Sequence, residues 1–148
     1  MTQSLKNIKI VQVTWAYAQH DLSKVRTDVF IKEQNVEPDF EWDELDVSAV
    51  HLLALVDNQA IACLRIINHQ KIGRMAVLKP WRGLGIGIVL LNKAIKICSK
   101  KGSHQVILSA QIQAVGFYSK AGFKVVSDEY CDVNIPHVDM QLIIDSKS

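Results

Sequence analysis

The segment Arg82-Gly83-Leu84-Gly85-Ile86-Gly87 constrains the fold of this chain more than any other. It follows an apolar stretch, Ile72 to Leu78, which reads as a strand stopped by Lys79-Pro80, because proline cannot extend a central ladder. It leads into a helix from about Gly85 to Lys101, with Val89, Leu90, Ala94, Ile97 and Cys98 on one face and Lys93, Lys96 and Lys100 on another. Glycine at alternate positions lets backbone take positive φ and approach a ligand closely. The first amides of the helix lack partners within it, and the helix dipole favours an anion there. A pyrophosphate suits such a turn, and Arg82 adds charge. A Walker A loop is excluded, since Ile88 and Val89 follow Gly87 where Lys and Ser or Thr are required. The dinucleotide fingerprint fails as well: Ile88 occupies the third glycine's place, and no acid stands near Gln105. The alternative to a phosphate cradle is a glycine-rich turn that only joins strand to helix.

Around this segment the pattern predicts further elements. Asn7 to Val13 reads as a first strand and His20 to Gln34 as a helix carrying Leu22, Val25, Val29 and Phe30 at helical spacing. Val50 to Val56 and Ala60 to Ile67 form a hairpin about Asp57-Asn58-Gln59. Beyond the central helix, Gln105 to Ala110 is a strand and Ala114 to Lys120 a short helix closed at Gly122. Phe123 to Val126 and His137 to Ile144 can pair as a last hairpin around Tyr130 to Pro136. The order β, α, β, β, β, α, β, α, β, β argues an α/β or α+β sheet with helices on both faces.

The chain has 148 residues, 49% of them apolar and 22% charged, which fits one globular domain over residues 1–148 and excludes disorder or low complexity. A net charge of +2 advertises neither nucleic acid nor an anionic membrane, and Lys93, Lys96, Lys100 and Lys101 need be no more than one exposed helix face. Cys63, Cys98 and Cys131 lie far apart with no metal-ligand spacing, so they read as reduced thiols and no metal is expected. Residues 1–6 lack the apolar core of a signal peptide, and the apolar run from about Leu84 to Leu91 is too short to span a membrane. A soluble, cytoplasmic protein is the expectation.

The glycine segment matches the Q/R-x-x-G-x-G/A motif of the GNAT superfamily of N-acetyltransferases. Gln111-Ile112-Gln113-Ala114-Val115-Gly116-Phe117-Tyr118-Ser119-Lys120-Ala121-Gly122-Phe123 resembles the same family's N-x-x-A-x-x-F/L-Y-x-x-x-G-F segment, with Gln111 where many members carry Asn. Val29-Phe30-Ile31-Lys32-Glu33-Gln34 and Glu41-Trp42-Asp43-Glu44-Leu45-Asp46 are similar to the V-F-x-x-E-Q…E-x-D-x-x-D signature of the ElaA/YjcF-like branch. The resemblance implies a mixed, mostly antiparallel sheet of about seven strands, splayed between strands four and five. Acetyl-CoA would be the co-substrate, its pyrophosphate on Arg82, Gly83, Leu84, Gly85, Ile86 and Gly87 and its pantetheine arm along Met75-Ala76-Val77, with Gln111, Ala114 and Phe117 beside it. Tyr118 would protonate the leaving thiolate.

The acceptor implied is a primary amine. A lysine-like amine is neutral in only about one part in a few thousand at pH 7, about 4–5 kcal/mol uphill, so a base or a desolvated site is required. Glu33 and Glu41 are the leading catalytic carboxylates, with Asp43, Asp46, His51 and His137 as further candidates. Six of the ten residues from Glu37 to Asp46 are acidic, with Phe40 and Trp42 among them. Such a run is either a solvated loop or a pocket for a cationic amine, with Asp43, Asp46 and His137 binding substrate. His20, His69 and His104 read as surface residues. The function expected is acetyl transfer by direct attack in a ternary complex, since no cysteine motif suggests an acetyl-enzyme. A catalytically silent acyl-CoA sensor is the alternative. Oligomeric state is not legible in the residues; a homodimer is one open expectation.

Overall fold

Alternating apolar positions decide what each face of the sheet buries. The computed structural model describes residues 7–144. In it β1 (Ile8–Val13), β2 (Val50–Val56), β3 (Gln59–Ile67) and β4 (Lys71–Val77) pair antiparallel in that order. β5 (Gln105–Gln111) joins β4 in parallel, and β8 (Ile135–Ile143) runs antiparallel to β5. β6 (Lys124–Val125) and β7 (Tyr130–Asp132) both pair with β8. The mixed, mostly antiparallel sheet is as expected, with eight strands instead of about seven. The additional strand is β7. Where the pattern predicts a plain turn over 130–136, Tyr130–Asp132 folds back on β8 through Val133 and Asn134, both at positive φ (47° and 65°). Two such residues in a two-residue connection suit the right-handed twist of a hairpin.

Helices cover both faces. α1 (Trp15–Arg26) starts earlier than the predicted His20, because Thr14 caps it by accepting from the Tyr17 amide at 3.2 Å. It packs Ala18, Leu22 and Val25 against Leu53, Cys63 and Ala76. α1 then passes into a π-helical turn, Thr27–Glu33, in place of a continuous helix to Gln34. On the opposite face α3 (Ile86–Lys100) sets Leu90, Leu91, Ala94 and Cys98 over Leu52, Leu64, Val106 and Leu108, beside the short α4 (Val115–Lys120). α2 (Pro38–Glu41) is a single turn inside the acidic run. Cys63 and Cys98 are buried, Cys131 is exposed, and all three are free thiols. Among the described residues no helix is long and apolar enough to cross a membrane.

β4 pairs with β5 only through Lys71↔Ile107 and Ile72↔Leu108. Beyond Ile72 the strands part. Between the pairs Arg65↔Gly73 and Cys63↔Ala76, β4 carries one residue more than β3, and Arg74 there takes a left-handed φ of 47°. A bulge of this kind bends its strand and ends pairing on the far side.

Candidate active site

The glycine segment forms an open turn ahead of α3. Gly83 (φ 77°) and Gly85 (φ 86°) are left-handed, and a Cβ at either would meet no atom within 4 Å, so the approach to both is open. Gly85 caps α3 without any side-chain acceptor, leaving the first-turn amides free for an anion. Gly87 differs: a Cβ there would lie 3.4 Å from the Phe117 ring, an ordinary packing distance between the start of α3 and α4. Arg82 anchors this loop to the end of β4, its Nε donating to the Val77 carbonyl at 2.8 Å. Its two terminal nitrogens grip the Glu33 carboxylate at 2.5 and 2.6 Å. Hydrogen bonding to Arg82 holds the Glu33 carboxyl below its ordinary range, and the same contact raises Arg82.

Where β4 and β5 diverge, a cavity of about 430 Å³ opens. Met75, Gln111, Ala114, Phe117, Tyr118, Glu41 and His137 are the predicted site residues in its wall. Ala76 turns away to pack under α1, and Met75 and Val77 pack on the α3 side. Tyr118 is nine-tenths buried and stands edge-on to Phe117 and Phe123, with centroids at 5.1 and 5.9 Å. Burial pushes its hydroxyl up to about 12. Gln111 keeps an amide link despite departing from Asn: its Nε2 donates to Gln34 Oε1 at 2.9 Å, tying β5 to the end of the π-helical turn.

The acidic run divides: Glu37, Asp39 and Glu44 are exposed, as in a solvated loop, whereas Glu41, Asp43 and Asp46 are turned onto arginines. Glu41 and Asp46 are buried, and Arg26 spans them, donating at 2.7 Å to each carboxylate. Arg65 reaches Asp43 at 2.8 Å and Asp46 at 3.1 Å, while Arg74 reaches Glu41 at 3.1 Å and Asp43 at 3.3 Å. Three arginines thus face the three carboxylates of Glu41, Asp43 and Asp46. The Trp42 ring lies 5.0 Å from the Arg26 guanidinium and Trp15 lies 5.5 Å from it, so the expected cation–π contact is filled by the protein's own cation. Phe40 is 61% exposed. Burial works against charge on Arg26 and Asp46, yet their mutual hydrogen bonds outweigh it, raising Arg26 and lowering Asp46. Burial pushes Glu41 up, against the pull of Arg74 and Arg26. His51 is buried under this cluster, where desolvation lowers it and its Nε2 donates to the Asp46 carbonyl at 2.9 Å.

Arg26, Arg65 and Arg74 are the residues that sequence reasoning missed. Arg26 follows Leu22 and Val25 on the buried face of α1, and Arg65 interrupts the apolar run of β3. A charge at a core position signals a buried partner. Ser109, in the cavity wall, belongs to a second polar group with Tyr130 and Asp139. Tyr130 donates to Asp139 Oδ1 at 2.5 Å and accepts from Ser109 Oγ. Among the described residues no cluster of His, Cys, Asp or Glu is arranged to hold a metal ion.

Comparison with known proteins agrees with this geometry. The family model described as acetyltransferase (GNAT) domain matches residues 18–144. The uncharacterised N-acetyltransferase YjcF of Bacillus subtilis is 36% identical over 124 residues, 81% of this chain and 89% of its own. An acyl-CoA N-acyltransferase from Pseudomonas aeruginosa superposes with a TM-score of 0.83 at 30% identity, over 91% of this chain and 99% of that one. Escherichia coli ElaA superposes with a TM-score of 0.82 at 26% identity, over 91% and 99% of the two chains.

Proposed function

The chain belongs to the GNAT family of acetyltransferases, and we propose that it moves an acetyl group from acetyl-CoA to a primary amine by direct attack in a ternary complex. Members of the family use an acyl-CoA with an acceptor. One observation carries the reading: β4 leaves β5 after two paired residues, opening a cavity lined by Met75 of β4 and by Tyr118, beyond the Gly85 cap of α3. An extended pantetheine can add to the edge of β4 as a strand, pairing its amides with Met75, Ala76 and Val77. The open space over Gly83 and Gly85 fits a pyrophosphate passing close to backbone.

The amine lone pair attacks the thioester carbonyl, whose oxyanion faces an N–H of β4. The C–S bond breaks, and the sulfur takes the Tyr118 proton. At about 12, this phenol is a much weaker acid than a thiol of reference ~8.5, so it donates in step with C–S cleavage and not before it. Glu33 and Glu41, expected as bases, act instead in positioning: Glu33 holds Arg82 at the cradle, and Glu41 binds the arginine cluster. Asp43 and Asp46 likewise meet arginines in place of a substrate cation. Burial pushes the thiols of Cys63 and Cys98 up to about 12 and 11, which disfavours either as an acetyl carrier.

Calorimetric titration with acetyl-CoA, beside CoA and ATP, is the first test. Micromolar binding of acetyl-CoA with ATP much weaker, followed by thiol release with an amine panel, is the expected result. Binding with no thiol release from any amine would favour the silent sensor. No binding by demonstrably folded protein would remove the reading altogether.

A further inference from the structure

We propose that His137 is the general base, taking the proton of the attacking amine on its Nε2 atom. This rests on the transferase reading above. His137 Nδ1 lies 2.6 Å from the Ile135 carbonyl oxygen. A carbonyl can only accept, so Nδ1 carries the hydrogen, and in the neutral ring Nε2 is then a bare acceptor. The ring is also clamped. It stacks on Tyr130 at 6.1 Å and 20°, and Tyr130 is itself held by Ser109 and Asp139. His137 is only 6% exposed, yet it lines the same cavity as Tyr118. Its cross-strand partner on β5 is Gln111, so the two side chains share a face at the end of β5 that leads into α4. An acceptor nitrogen and a donor phenol therefore border one space where strands β4 and β5 part.

The other charged groups at this cavity suit the task less well. Lys71, Arg65 and Arg74 are cations and cannot accept a proton. Glu41 is committed to Arg26 and Arg74. Asp139, on β8 itself, accepts from Tyr130. Asp132 of β7 is exposed at the wall and is the one rival carboxylate. In the step, the amine nitrogen bonds to the acetyl carbon as its proton passes to Nε2, and the C–S electron pair goes to sulfur. Sulfur receives the Tyr118 proton. Proton exchange with water then restores imidazole and phenol, leaving amide and free CoA.

His137→Asn separates the two roles of the ring, because its side-chain nitrogen retains a donor where Nδ1 stood and has nothing at Nε2. Thiol release from acetyl-CoA is followed with the fastest amine of a panel comprising a polyamine, an amino acid and a lysine peptide. The expected result is a loss of about 10²–10³-fold in kcat/KM. Acetyl-CoA affinity by calorimetry should be unchanged. Asp132→Asn should retain the rate. A His137→Asn enzyme with wild-type rate overturns the proposal while leaving the transferase reading intact. So does an Asp132→Asn enzyme that takes the whole loss. Imidazole nitrogen spectra of the wild-type protein need no variant: hydrogen on Nε2 of His137 overturns the assignment. Wild-type protein that binds acetyl-CoA and acetylates no amine overturns both.

Discussion

At the scale of single residues, Tyr118 is a buried phenol whose ring meets Phe117 and Phe123 edge-on and which lines a cavity. With burial pushing it up to about 12, it stays protonated across the working pH range and holds a proton to give. Tyr118→Phe should lower kcat about 10²–10⁴-fold with little change in acetyl-CoA affinity, measured by steady-state thiol release and calorimetry. An unchanged rate would remove the acid from this position. At Gly85 a side chain meets open space, yet φ of 86° is closed to a β-branched residue. Gly85→Val should therefore twist the first-turn amides off their aim and weaken acetyl-CoA binding by about tenfold or more, ~1.4 kcal/mol, with the fold retained by circular dichroism. Residues such as Gly83 and Gly85 are legible in sequence because a local conformational demand selects one residue type. The tautomer of His137 is not, since it depends on the Ile135 carbonyl at the start of β8, whose placement beside the ring is set only in the folded hairpin.

At the scale of elements, the acidic run is a set of loops locked from three directions. Arg26 comes from α1, Arg65 from β3 and Arg74 from the bulge of β4. The run is visible because its acids are clustered in one short segment, whereas the arginines that meet them lie 15 to 33 residues away on separate elements. The same holds for the π-helical turn: residues 27–33 carry an ordinary helical pattern, and nothing local marks the wider hydrogen-bond register. Arg26→Ala would leave Glu41 and Asp46 as buried carboxylates short of a partner, and should cost about 3–5 kcal/mol in urea unfolding. Asp46 has its own signature. Its native carboxyl sits below the usual range, so its contribution is complete above the unfolded value of ~3.9 and is lost as pH falls through the native one. Glu41, pushed up by burial, contributes in the opposite sense. Asp46→Asn should accordingly flatten the acid limb of stability measured by denaturant titration between about pH 5 and 2.

At the scale of the whole molecule, the sheet is two ladders, β1 to β4 and β5 to β8, joined by two residue pairs and covered by α3. The overall order of strands was readable because apolar runs and turns alternate along the chain, but the short β7 was not, since three exposed residues show no alternation. If acetyl-CoA completes the edge of β4, hydrogen exchange at the amides of residues 74–77 should slow on binding, while β1 to β3 change little. At a hundredfold excess over Kd, binding should add about 2.7 kcal/mol, a rise in Tm of ~5–10 °C by scanning calorimetry. A ligand-induced shift without protection of β4 would place the pantetheine elsewhere.

The junction of β4 and β5 also makes the molecule mechanically uneven. Tension applied across it is borne by two backbone pairs, against seven between β5 and β8, so under load the sheet yields there first. A donor laid along β4 acts as a stitch across this seam, and the rupture force between the ladders becomes a direct gauge of occupancy.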